Sequence, residues 1–219
     1  KLKRAAKACY DYATAYQTPF ISGKDSMFND FEGYQSDGQK IKISIPPTLL
    51  ITSLGIIDDI NKIVSPDIKF PGDLIYLLGD TYEEMGGSEY FSIYGFIGNN
   101  VPKVNAPKNM KLYQAFYKAI CHNLVDSSIG VGRGGLAVAF AKMSMGGLLG
   151  IEVNLGAISG RFSRDDFILF SESQGRIIVT INPKNKKIFE KILGDSSFAM
   201  IGQVKREQVI HILGLNKKS

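Results

Sequence analysis

The stretch Asp73-Leu74-Ile75-Tyr76-Leu77-Leu78-Gly79 decides the fold. An unbroken run of β-formers between an Asp and a Gly reads as a strong strand. Downstream, Gly86-Gly87-Ser88-Glu89-Tyr90 opens the next element, and Leu112, Ala115, Phe116, Ala119, Ile120 and Leu124 fall on one helical stripe. Gly134-Gly135 opens an apolar helix predicted over 136–145. Strands are predicted at Ile151-Glu152-Val153-Asn154-Leu155 and Arg176-Ile177-Ile178-Val179-Thr180-Ile181, then an amphipathic helix over 184–193. The segments 198–204 and 209–213 complete an alternating pattern, so the fold class is α/β, in the wider sense α+β.

Upstream of Asp73 the pattern is thinner. Small and apolar residues at helical spacing predict a helix over 2–16, ended by Pro19, with 20–27 beginning extended. A polar loop is expected over 31–38, a half-buried strand over 40–45, a bend at Pro46-Pro47 and a buried strand over 48–57. One helix and about three strands make a poor independent core, so this block reads as the tail of a domain that begins elsewhere. Residues 58–72, with Pro66 and Pro71, have the composition of a linker. The expected organisation is a first subdomain over 1–60, a linker over 61–72 and an α/β subdomain over 73–219.

Hydrophobic residues at 44% and charged residues at 21% describe an ordinary globular protein. No apolar run reaches the roughly 18 residues of a membrane span, and no signal-peptide core follows the basic start, so no membrane partner and a cytoplasmic address are expected. Cys9 and Cys121 are the two cysteines, too few for a disulfide framework or zinc cluster, and both read as buried small hydrophobes. The net charge of +5 is dispersed and unaccompanied by a nucleic-acid motif, so no nucleic-acid partner is expected. It suits phosphorylated small molecules equally well.

Three glycine-centred packets carry the candidate chemistry: Ser22-Gly23-Lys24-Asp25-Ser26, Gly86-Gly87-Ser88-Glu89 and Gly132-Arg133-Gly134-Gly135. Gly admits close backbone approach, turns at helix starts offer N–H groups to phosphate, and Lys24 and Arg133 supply charge. Each packet also reads as a solvated turn or a helix cap. The P-loop and the Rossmann fingerprint are both absent. Asp25, Glu89 and Glu172 are acidic residues suited to Mg²⁺, or else merely solvated or locally hydrogen-bonded carboxylates. His122 and His211 read as structural.

The packets are also familiar in their order. Thr18-Pro19-Phe20-Ile21-Ser22-Gly23-Lys24-Asp25-Ser26-Met27 resembles a signature in the second half of phosphoribosylformylglycinamidine synthase. Ile45-Pro46-Pro47-Thr48-Leu49-Leu50-Ile51, Met85 to Tyr90, Gly134 to Ala139, and Leu169-Phe170-Ser171-Glu172-Ser173 with Arg176 follow in that family's order. The resemblance implies a fold like aminoimidazole ribonucleotide synthetase, here the remnant of a half-barrel subdomain followed by an α/β C-terminal subdomain. It implies an ATP-dependent ligase of purine biosynthesis that converts formylglycinamide ribonucleotide to the amidine with ammonia from glutamine. Implied cofactors are ATP or ADP and Mg²⁺. Implied partners are the first synthetase half of the same protein and a glutaminase domain or subunit. The catalytic histidines of the family lie in that first half, so no catalytic residue is expected here and the isolated segment is expected to be inactive.

By the same resemblance Ser22, Gly23, Lys24, Asp25, Ser26, Gly86, Gly87, Ser88, Arg133, Gly134 and Gly135 are the candidate nucleotide-phosphate contacts. Asp25 and Glu89 are the candidate metal ligands. The sequence departs from the family at Gly130-Val131-Gly132-Arg133, where many members carry Asp-x-Ser-Asp. Loss of both acids and gain of a cation suit a phosphate contact better than a metal. The alternative is a purely structural, pseudo-symmetric half with a vestigial nucleotide site.

Overall fold

The computed structural model describes residues 1–24, 26 and 29–216 and forms two compact units, Lys1–Ile56 and Ile57–Ser219. In the first, α1 spans Leu2–Tyr16 and ends at Gln17, whose φ of 55° is left-handed. The helix therefore stops before Pro19 by an αL cap, not by the proline itself. Strands β1 (Phe31–Tyr34) and β2 (Lys40–Ile43) form an antiparallel hairpin, so half of the expected polar loop is a strand. The buried strand expected over 48–57 does not form. That segment has no strand partner among the described residues, and Leu50, Leu54 and Ile56 are exposed. An apolar run becomes a strand only where a neighbour accepts its backbone hydrogen bonds and a layer covers its side chains.

The second unit is built on β3 (Leu74–Leu78). After the short strand β4 (Thr81–Tyr82) come α2 (Glu89–Ile93), α3 (Ala106–Cys121), β5 (Ser127–Gly130), α4 (Gly135–Gly147) and β6 (Gly150–Asn154). The chain continues through β7 (Gly160–Arg161), α5 (Asp165–Phe170), β8 (Ile177–Ile181), α6 (Lys186–Leu193), β9 (Phe198–Lys205) and β10 (Ile210–Leu213). The main sheet has six strands in the order β10-β6-β9-β3-β8-β5. The β10–β6 pair is parallel and the other pairs are antiparallel.

Side-chain alternation along β3 divides the core in two. Ile75 and Leu77 join Leu136, Phe140 and Met143 of α4 and Ile168 of α5 on one face. Tyr76 and Leu78 join Leu112 and Ala119 of α3 and Phe189 and Leu193 of α6 on the other. Helices on both faces explain why β3 is continuously apolar where a half-exposed strand would alternate. Each fully buried aliphatic side chain contributes roughly 1.5–3 kcal/mol.

The segment 61–72 is packed against this unit. Ile68 is a core residue, and its N–H donates to the Met143 carbonyl at 3.3 Å. Lys62 Nζ donates to Asn123 Oδ1 at 2.6 Å. Cys121 is exposed at the end of α3, contrary to its expected burial, because the stripe that meets the sheet runs through Leu112 and Ala119. Cys9 is half-buried.

Two predictions test this core. Leu77→Ala should cost about 2–5 kcal/mol in denaturant unfolding, since Leu77 is 1% exposed and its neighbours collapse only partly into the space. Asp73 is buried, and its Oδ2 has no hydrogen-bond partner among the described residues. Burial, then the nearby Asp126 carboxylate, push its pKa from 3.8 up to about 6. The folded state therefore favours the protonated acid, and folding is penalised as pH rises through this window. Asp73→Asn should gain up to about 2 kcal/mol over the parent at pH 7, a gain that vanishes below about pH 4 in unfolding measured against pH.

Candidate functional site

Two of the three glycine packets meet at one carboxylate. Glu172 Oε1 accepts from the Glu89 N–H at 2.9 Å and from the Gly134 N–H at 3.0 Å. These donors open α2 and α4, so Glu172 places negative charge where the helix ends carry partial positive charge. Its position comes from the turn between α5 and β8. The approach is close: a Cβ on Gly135, where φ is +68°, would lie 2.6 Å from both the Leu169 and Ser171 carbonyls. Only Gly meets both demands.

Several N–H groups of the second and third packets, expected to cradle phosphate, are engaged within the protein. Gly86 donates to Asn100 O at 2.9 Å, Gly87 to Ile97 O at 2.7 Å and Ser88 to Met85 O at 3.1 Å. Gly135 donates to Gly132 O at 3.0 Å. Ser88 Oγ caps α2 by accepting from Phe91 N at 3.2 Å. Tyr90 stacks on Phe170 at 4.7 Å between centroids and donates its hydroxyl to Asp166 Oδ2 at 3.1 Å, which ties α2 to α5.

Arg133 is the exposed cation of this cluster. Its Nε donates to Glu89 Oε1 at 2.6 Å, and its Nη2 reaches the same oxygen. With one carboxylate beside a guanidinium and the other held by two N–H groups, the donor set at Glu89 and Glu172 does not fit Mg²⁺. Among the described residues no group of three or more His, Cys, Asp or Glu forms a metal cluster. In the first unit Ser22, Gly23, Lys24 and Ser26 are exposed, and Lys24 Nζ donates to Ser26 Oγ at 2.7 Å. Asp25 lies outside the described residues.

Sequence reasoning missed the support behind Glu172. Arg176 is 1% exposed. It donates through Nε to Ser173 O at 3.0 Å, through Nη1 to Thr81 Oγ1 at 3.0 Å and through Nη2 to Ser171 O at 2.7 Å. Burial lowers its pKa to about 10, which leaves it cationic at neutral pH. The guanidinium thus brackets Glu172 by gripping the carbonyls on either side of it. An Arg opening an otherwise apolar strand was the available signal. Glu84, also buried, accepts the Lys103 N–H at 3.0 Å.

A family model described as AIR synthase related protein, C-terminal domain, matches residues 71–213, and the chain belongs to that family. It is 35% identical over 211 residues to phosphoribosylformylglycinamidine synthase subunit PurL of Methanocaldococcus jannaschii, an alignment covering 93% of this chain and 27% of that protein. The chain thus spans about a quarter of that relative's length. Among solved structures, T. maritima PurL complexed with FGAR superposes with a TM-score of 0.70 at 18% identity, covering 94% of this chain and 34% of that one. T. maritima PurL complexed with ATP superposes with a TM-score of 0.57 at 23% identity, covering 72% of this chain and 26% of that one. These likenesses establish the aminoimidazole ribonucleotide synthetase-like fold.

Glu172→Ala should cost about 1–3 kcal/mol in chemical denaturation, because two N–H donors lose their acceptor. Glu172→Gln, which keeps an oxygen there, should cost less in the same measurement.

Proposed function

We propose that this chain is part of an ATP-dependent, glutamine-using ligase of purine biosynthesis that converts formylglycinamide ribonucleotide to formylglycinamidine ribonucleotide. The observation that carries the reading is the similarity over 93% of the chain to a relative of that name. The complexes of T. maritima PurL with FGAR and with ATP, which share the fold, support the substrate and the nucleotide. In this reading the enzyme is cytoplasmic. Residues 1–60 are the end of a half-barrel subdomain, 61–72 a connection and 73–219 the α/β subdomain.

The segment's part is scaffold and phosphate-binding surface. Lys24 and Ser26 present an ammonium and a hydroxyl, and Arg133 a guanidinium able to pair with phosphate. The remaining synthetase half and a glutaminase supply catalysis and ammonia. The exposed Leu50, Leu54 and Ile56 are where further parts of the longer protein complete the half-barrel. Mg²⁺, if bound with the nucleotide, would be held by phosphate oxygens and by residues other than Glu89.

A second reading, a purely structural half, is favoured by one observation: six N–H groups at the starts of α2 and α4, those of Gly86, Gly87, Ser88, Glu89, Gly134 and Gly135, are already engaged, two of them by Glu172. Calorimetric titration of ATP and ADP into this chain and into the longer protein separates the two. The first reading expects nucleotide binding to the longer protein that Lys24→Ala weakens by about tenfold or more, the loss of one charge-assisted contact. Binding that is absent, or indifferent to Lys24→Ala and Arg133→Ala, leaves the structural reading.

A further inference from the structure

The start of β3 holds a group of charges that the proposed nucleotide surface does not use. Leu74 pairs with Ile181 and Ser127 with Thr180, so Asp73 and Asp126 flank the end of β8 from its two neighbouring strands. Asp73 is buried, and the Oδ2 atoms of both acids are buried with no hydrogen-bond partner among the described residues. Two orphaned carboxyl oxygens at one strand end need either a proton or a cation. Burial raises the Asp126 carboxyl above its ordinary range, as it does Asp73, against the pull of the Asn182 N–H and of Lys69.

Among the described residues Lys69 is the cation that acts on both acids. Its ammonium is nevertheless bonded elsewhere, to Ser65 Oγ and to the Asp67 carbonyl, each at 2.9 Å, with Asp67 Oδ2 at 3.6 Å. On β9, the adjoining strand, Lys205 is held by Gln203 Oε1 at 3.3 Å and Glu152 Oε2 at 3.5 Å. Ser65 in turn covers an edge of the sheet. Its carbonyl accepts the Ser128 N–H at 3.1 Å, and β5 is the outermost strand on that side. Lys69 thus braces a segment that closes an edge otherwise open to pairing.

Two buried carboxylates side by side raise one another, and full ionisation of both is unfavourable without a cation. With a proton on the pair, Lys69 is left to its neutral partners, the arrangement seen here. With that proton lost, two carboxylates outweigh a hydroxyl and a carbonyl in attracting the ammonium.

We propose that Asp73, Asp126 and Lys69 form a proton-operated latch on residues 65–69. It is closed over the edge of β5 while the acid pair keeps a proton, and it loosens when the pair loses that proton and draws Lys69 away from Ser65. No member belongs to the Glu89–Arg133–Glu172 cluster, so the latch stands independently of the function proposed above. The direction follows from the raised Asp73 pKa: the closed form prevails below about 6 and gives way as pH rises through that window.

The test is a titration of the 219-residue chain from about pH 4.5 to about pH 8, followed by the Asp73 carboxyl and backbone amide chemical shifts. The amides of Ser65, Lys69 and Ser128 should move with the same midpoint as the Asp73 carboxyl. Protection of the Ser128 N–H from hydrogen exchange, corrected for the intrinsic pH dependence, should fall by about tenfold or more across the transition. Asp73→Asn, uncharged at every pH, should hold the closed form and make that protection independent of pH. Asp126→Asn should lower the Asp73 midpoint, because the like charge is gone, and Lys69→Met should raise it while abolishing the coupled shift at Ser65. An Asp73 midpoint in the ordinary carboxylate range overturns the proposal. So does an Asp73 titration that leaves the 65–69 amides and Ser128 protection unchanged.

Discussion

Burial of β3 on both faces is the constraint on which the second unit depends. The strand lies inside the six-stranded sheet, with β9 on one side and β8 on the other. Its alternate residues therefore reach two separate cores, one under α4 and α5 and one under α3 and α6. A strand in that position needs apolar side chains in both directions and backbone partners on both edges. Once those demands are met, the helix starts are fixed at one end of the sheet, and the candidate site is built from them.

At that end the chemistry is governed by where backbone donors are spent. Helix starts and glycine turns are suited to anions, but here Glu172 is the anion, and Arg176 holds the turn that presents it. Arg133, paired with Glu89, is the exposed cation beside it.

Much of the fold was legible in the sequence. Period and length placed α4, β6, β8, α6 and β9 to within a few residues, since each carries its own apolar pattern, and the stripe from Leu112 showed α3 without its first turns. The short strand β5, Ser127–Gly130, was not legible: its Ser-rich run is a strand because β8 pairs with it, not because of its composition. The failure over 48–57 is the converse case, an apolar run without a neighbour. Cys121 shows a third limit, since a helical stripe predicts a face but not its width.

The sequence by itself determined the order of elements and the motifs that place the chain in its family. Both are local properties: hydrophobic period, glycine position and a short run of residue types. Tertiary structure decided what those motifs do. Glu172 meets Glu89 across 83 positions and Gly134 across 38, and Arg176 meets Thr81 across 95. Hydrogen-bond partners so far apart leave no trace in local periodicity. Only the folded sheet brings the starts of α2 and α4 to the turn before β8, where both meet one carboxylate.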